Sequence, residues 1–435
     1  MLSAFRNAFK IPELRGKILF TVAIIAVYRL GSHLPVPGVD FDAVQDYLRN
    51  PAANDPNGAF TLINLFSGGA LTQFAIFALG IMPYITSSII MQLLGVVIPR
   101  LEQLQKEGES GRKKIQQYTR YVTVFLALLQ SASIVQLAHN QGILPLDIFP
   151  GLTPGRFALA VMTLTAGTAL IMWLGELITQ RGVGNGMSII IFSAIVARLP
   201  SEGANILRVN RVPIFVLVCF LGLLIIVAVI FVEQAQRRIP VQYAKRMVGR
   251  KMYGGQSTYI PLKVNQAGVI PIIFASSLLY IPVLLSSIVR KQWLTDLTER
   301  FARTGHHPLY IITYFLLIIG FAYFYNSIAF NPVDTADNMK KYGGFIPGIR
   351  PGRQTAEYLN YIMTRITLPG AVFLGAVAIL PFIALAAGNV QQFPFGGTSI
   401  LITVGVGLET MKQIESQLTM RNYEGFLKPA KGLLR

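Results

Sequence analysis

The chain has 435 residues, of which 53% are hydrophobic and only 13% charged, and its mean hydropathy is +0.52. Soluble chains of this size carry about 25% charged residues, so this composition describes an integral membrane protein. A single cysteine, Cys219, excludes a disulfide framework, and the four histidines (His33, His139, His306 and His307) lack zinc-ligand spacing.

Taken in order, the first residues, 1–17, are basic and amphipathic without a small-residue cleavage site. They predict a cytoplasmic interfacial helix, not a removed signal peptide. Ten apolar stretches then follow: Ile18–Leu34, Phe74–Ile98, Tyr121–Leu137, Phe157–Ile178, Met187–Leu199, Pro213–Val232, Val269–Ile288, Leu309–Phe330, Ile366–Ala387 and Ser399–Leu418. Most are long enough to cross a hydrocarbon core of ~30 Å. The fifth is short, at about 13 residues, and fits steep placement within a bundle or extension through Gly184-Asn185-Gly186. Lys and Arg set the orientation. With both termini cytoplasmic, the inner segments hold 27 basic residues and the outer ones nine. A cytoplasmic tail, 419–435, closes the chain.

Two of these stretches echo each other. Gly80-Ile81-Met82-Pro83-Tyr84-Ile85 matches Gly268-Val269-Ile270-Pro271-Ile272-Ile273, and Ser87-Ser88 and Ser276-Ser277 follow. Paired Gly/Pro-interrupted spans point to a transport pathway between repeats; coincidence is the plainer alternative, because both residues are common in membrane helices. Ten spans split at 201–212 leave five on each side. An odd number per half requires the halves, 18–200 and 213–418, to be inverted. The echoing spans are the second of each half.

The span centres contain no Asp or Glu, which ion-coupled pumps need there. Glu176, Glu233, Glu409 and Glu415 fall near cytoplasmic ends, where solvated or capping roles are expected. Arg29, near the outer end of the first span, can snorkel. No GxxxxGK[ST] loop is present, and 182–186 reads as a tight turn. No nucleophile is paired with a histidine, so any energy comes from a partner. The cytoplasmic loops 237–263 and 331–365 interleave basic residues with Tyr and Phe, and the first fits a β-hairpin-like finger. They predict docking surfaces for a large acidic partner, RNA or protein, beyond simple contact with anionic lipids. A small-solute transporter and a membrane-embedded enzyme are the rival classes; carboxylate-free span centres, the two basic fingers and the missing catalytic constellation weigh against them.

Motifs across nearly the whole chain carry a family resemblance: Asn64-Leu65-Phe66-Ser67-Gly68-Gly69, Ala78-Leu79-Gly80-Ile81-Met82-Pro83-Tyr84-Ile85, Lys106-Glu107-Gly108-Glu109-Ser110-Gly111-Arg112, Gly184-Asn185-Gly186, Val264-Asn265-Gln266-Ala267-Gly268-Val269-Ile270-Pro271 and Gly344-Phe345-Ile346-Pro347-Gly348-Ile349-Arg350-Pro351-Gly352. In these the sequence resembles the SecY family, the central channel subunit of the bacterial protein-export translocon. The resemblance implies an all-α membrane protein, ten transmembrane helices in two inverted five-helix halves around an hourglass pore. It implies a pore ring of Ile81, Ile85, Met187, Ile191, Ile273 and Ile402, with Met187 standing where the family usually has isoleucine. It further implies a short re-entrant plug helix within 60–72, carried by Asn64, Phe66, Ser67, Gly68 and Gly69. A lateral gate would involve Thr86, Ser87, Gln92, Asn265 and Ser277. Arg237, Arg238, Lys245, Arg246, Arg250, Lys251 and Arg350 would receive the ribosome or the SecA motor ATPase. SecE- and SecG-like subunits would clamp the channel in the bacterial cytoplasmic membrane, and signal peptides and unfolded secretory chains would pass through it. Neither a cofactor nor an enzymatic activity is expected.

Overall fold

The computed structural model describes residue 9 and residues 11–40, 67–71, 73–139, 153–209, 212–243, 246–248, 251–253, 257–289, 308–388 and 397–427. Most of 1–17, the plug positions Asn64 and Phe66, and the docking positions Lys245 and Arg250 lie outside these residues. The helices are α1 (Pro12–Gly31), α2 (Met82–Val97), α3 (Pro99–Lys106), α4 (Glu109–His139), α5 (Pro154–Arg181), α6 (Gly186–Val196), α7 (Leu199–Val209), α8 (Val212–Gln234), α9 (Ile270–Val289), α10 (Pro308–Ala329), α11 (Pro332–Lys341), α12 (Arg353–Gly388) and α13 (Gly397–Leu427). The strands are β1 (Gln236–Tyr243), β2 (Arg246–Val248), β3 (Lys251–Tyr253), β4 (Ser257–Lys263) and β5 (Gly344–Phe345).

A helix falls on each of the ten apolar stretches. Among the described residues, Pro154–Arg181, Pro308–Lys341 and Arg353–Leu380 are long and apolar enough to cross a membrane singly. Shorter apolar helical stretches occupy Gly186–Ser201, Val218–Gln234 and Ile270–Leu279. α2 and α3 together pass the same test but bend by 100° at their junction, where Ile98 is extended and Pro99 starts the new helix.

The second stretch departs from a continuous helix. Residues 73–81 form turns, and Gly80 has φ 56°. The helix starts only at Met82, with Pro83 in its first turn, where a missing N–H costs nothing. The echoing stretch does the same: Gly268 has φ 60°, α9 starts at Ile270, and Pro271 is its second residue. The repeated Gly-x-x-Pro is therefore a helix-start device, a left-handed glycine turning the chain into a proline-led first turn.

Two compact units divide the chain: residues Met1–Asn210, Ser277–Tyr310 and Val406–Arg435 form the first, and Arg211–Ser276 with Ile311–Gly405 the second. In the first, α5 is the hub and packs against α4, α6 and α1. It is capped by Thr153, whose hydroxyl accepts from the Arg156 amide, and opened by Pro154. Small residues let neighbours approach it, as membrane packing requires. A Cβ on Gly167 would overlap the Ile76 carbonyl, and one on Gly186 would overlap the Gly175 carbonyl.

The second unit carries the strands. β1 pairs antiparallel with β4, Ile239 opposite Ile260, and with β5, giving the order β4-β1-β5. β2 and β3 form a separate two-stranded hairpin. The long basic loop is thus a β finger attached to a helical protein. Alternation on β1 turns Ile239 and Val241 inward, where they join Leu262, Met339, Ile346, Leu359 and Ile362 in one apolar cluster. α11, which supplies Met339, is capped by Asn331, whose side-chain Oδ1 accepts from the amides of Val333 and Asp334.

Candidate functional site

The six expected ring positions come from helix segments with few polar side chains. Ile81 caps α2 and Ile85 lies in its first turn, bonded amide to carbonyl at 3.1 Å. Met187 and Ile191 lie on α6, which starts at the turn Gly184-Asn185-Gly186: Gly184 has φ 79°, and the Asn185 side chain accepts from the amides of Met187 and Ser188. That turn is a helix cap. Ile273 occupies the first turn of α9, and Ile402 the second turn of α13. All six are buried, from Ile402 at 0% exposure to Met187 at 9%. Ile81, Ile85, Met187 and Ile191 belong to the first unit, Ile273 and Ile402 to the second.

Residues 67–71 are seated within the first unit. Ser67 is fully buried, and its hydroxyl accepts from the Leu71 amide at 3.3 Å. The Tyr28 hydroxyl donates to the Ser67 carbonyl at 3.2 Å, and Tyr28 stacks on Phe77 with ring centroids 5.8 Å apart. Arg29 Nη1 donates to the Gly68 carbonyl at 3.3 Å, while its Nη2 donates to the Ser193 carbonyl of α6. Gly68 (φ 66°) lies so close that a Cβ would stand 2.9 Å from the Ala194 Cα. Sequence reading assigned Arg29 a snorkelling role; the structure gives it two carbonyl partners on different segments. A charged side chain in an apolar span requires such partners, which was the available signal.

The expected gate residues bond as follows. The Thr86 hydroxyl donates to the Met82 carbonyl one turn back, at 3.0 Å, and Ser87 donates to the Thr119 carbonyl of α4 at 2.7 Å. The Asn265 amide donates to Glu233 at 2.8 Å and to the Gly268 carbonyl at 3.0 Å. Ser277 is buried, and among the described residues its hydroxyl has no hydrogen-bond partner. Gln92 is half-buried.

Glu176 was expected to take a solvated or capping role; the structure instead buries it to 9% exposure and pairs it with a charge. Arg120 meets it through two donors, Nε at 2.8 Å and Nη2 at 2.6 Å, and Gln116 adds a third bond at 3.1 Å. Two charges and a bidentate fork make this a strong pair. Of the docking positions, Arg237, Arg238 and Arg350 are exposed. Arg238 also lies over the Tyr259 ring, 4.9 Å from its centroid. For Arg246 and Lys251 the backbone alone is described, within β2 and β3.

Comparison with known proteins supplies the family. The SecY family model matches residues 75–411. The protein translocase subunit SecY of Mycobacterium tuberculosis (strain ATCC 25618 / H37Rv) is 56% identical over 441 residues, covering 98% of this chain and all of that protein. Two solved structures show the same fold at low identity. A SecY protein studied for the plug domain that stabilises its closed channel matches with TM-score 0.66 and 17% identity, covering 97% of this chain and 99% of its own. Sec61 in a canine ribosome–channel complex matches with TM-score 0.61 and 17% identity, covering 98% and 99%. By a family match over most of its length, and a relative alike from end to end, the chain belongs to the SecY family of protein translocase subunits.

Proposed function

We propose that this chain is a bacterial protein-conducting channel that passes unfolded secretory polypeptides across the cytoplasmic membrane and releases transmembrane segments sideways into lipid. The observation that carries the reading is the end-to-end identity of 56% with a translocase subunit; the burial of all six ring positions supports it. In this reading ten spans form two inverted halves, 18–200 and 213–418, around an hourglass pore, with 201–212 as an external hinge and both termini cytoplasmic.

The physics of the seal is that of a narrow apolar collar. It holds no stable water, so an ion must shed its hydration to enter and is excluded. A polypeptide is different, because flexible aliphatic side chains can part and close around it. Met187, unbranched and polarisable, makes its side of the collar more pliable than isoleucine would. Segment 60–72 acts as the plug, its described part 67–71 seated by Tyr28 and Arg29. Polar contacts between membrane helices are weak, averaging ~0.6 kcal/mol, so a lateral gate involving Thr86, Ser87, Gln92, Asn265 and Ser277 yields to a signal sequence with 7–15 apolar residues.

The channel itself does no chemistry. Work comes from a SecA-type motor ATPase or from the ribosome, docked on Arg350 and the finger 237–263. SecE- and SecG-like subunits and anionic lipids complete the assembly. The test is reconstitution: the chain with its small membrane subunits in liposomes, plus motor ATPase, ATP and a labelled preprotein. Protease-protected preprotein that depends on this chain is the expected result; equal protection in liposomes lacking it overturns the reading.

A further inference from the structure

The contacts of Arg29 are not those of a snorkelling arginine. Its guanidinium ends on two backbone carbonyls, Gly68 in segment 67–71 and Ser193 in the last turn of α6. The Ser193 carbonyl sits at the negative end of the α6 dipole, where a cation is favoured, and charge-assisted bonds of this kind are about twice as strong as neutral ones. Tyr28, next to it at the end of α1, holds the adjacent carbonyl of Ser67. The positive φ of Gly68 and its close approach to Ala194 leave no room for a side chain between the segment and α6. Two helix ends and one short segment thus converge on a single guanidinium.

We propose that Arg29 is a positioning residue that latches segment 67–71 onto the C-terminal end of α6 in the resting channel, so that release of the segment requires both of its carbonyl bonds to break. The inference rests on reading that segment as the plug. Arginine suits the task because its planar fork spans two acceptors, whereas the single ammonium of lysine cannot hold both in the same geometry. Tyr28 adds a second, neutral tie.

The test separates latch from plug. In a C219S background, A70C places a thiol at a position that is 1% exposed. Its reaction with a membrane-impermeant maleimide in the purified translocase complex reports release of the segment, and the resting ion conductance of the same complex in planar bilayers reports sealing. Arg29→Gln should speed labelling by about tenfold or more, Arg29→Lys should do so to an intermediate extent, and Tyr28→Phe by roughly two- to tenfold. Faster labelling with raised conductance supports both latch and plug. Faster labelling with unchanged conductance supports the latch and overturns the plug reading. Labelling of Arg29→Gln within about twofold of the parent overturns the latch, whatever the conductance does. If Arg29→Gln does not accumulate, Tyr28→Phe and Arg29→Lys decide by the same rates.

Discussion

A carboxylate buried on an apolar helix is tolerated only with a counter-charge, and Glu176 has one in Arg120, supported by Gln116. The Arg120 side chain is 35% exposed and that of Glu176 10%, so solvent weakens the pair without dissolving it. Glu176→Ala would leave Arg120 with the Gln117 side chain but without its counter-charge, and we expect a loss of about 1–3 kcal/mol, read as a lower thermal midpoint of the purified complex. An unchanged midpoint would show that the pair contributes nothing. Glu176→Gln, which keeps one acceptor, should fall between. The sequence shows Glu176 as a lone acid near the end of a span; its partner, 56 positions earlier, becomes visible only when α4 and α5 pack. Arg29 was half legible in the same sense. Its cost was evident from the sequence, but its carbonyl partners were not, since backbone acceptors have no letter.

Elements were far more legible than pairings. Hydropathy marks the spans because lipid forces each backbone polar group to be satisfied within its helix. Boundaries were harder, and the second stretch shows why: Phe74–Ile81 is apolar enough for a helix, yet Gly80 with φ 56° and Pro83 in the first turn delay the start to Met82. The same device at Gly268 and Pro271 accounts for the echo in local terms. The basic finger was legible as a hairpin from the prolines and glycines set among its basic and aromatic residues. Its apolar anchor was not, because Leu359 and Ile362 belong to a helix about a hundred residues further on. That anchor gives an element-scale prediction. Leu359, fully buried beneath Ile239 and Val241, should cost about 2–5 kcal/mol when replaced by alanine. The finger should then be cut faster by protease while the spans stay protected; equal cleavage rates would contradict the anchor.

At the scale of the whole molecule, the proposed function pairs a passive channel with a partner that does the work. Arg350 is exposed, and its carbonyl accepts from the Thr355 hydroxyl at 2.9 Å, so its backbone is fixed while its charge stays available. Arg350→Glu should therefore abolish motor-driven export of a preprotein and leave the thermal midpoint of the complex within about a degree of the parent; normal export kinetics would remove Arg350 from the docking surface. The inverted-halves reading came from counting spans and from one echo, and six aliphatic positions scattered from 81 to 402 could be grouped only through the family resemblance, because isoleucine in a membrane helix is ordinary. The proposed channel therefore depends on the collar. Its most direct test is a photo-reactive amino acid placed in turn at Ile81, Ile85, Met187, Ile191, Ile273 and Ile402 while a preprotein is stalled in transit. The account predicts that all six cross-link to the same short stretch of the stalled chain; cross-links to lipid alone, with the polypeptide captured elsewhere, would contradict it.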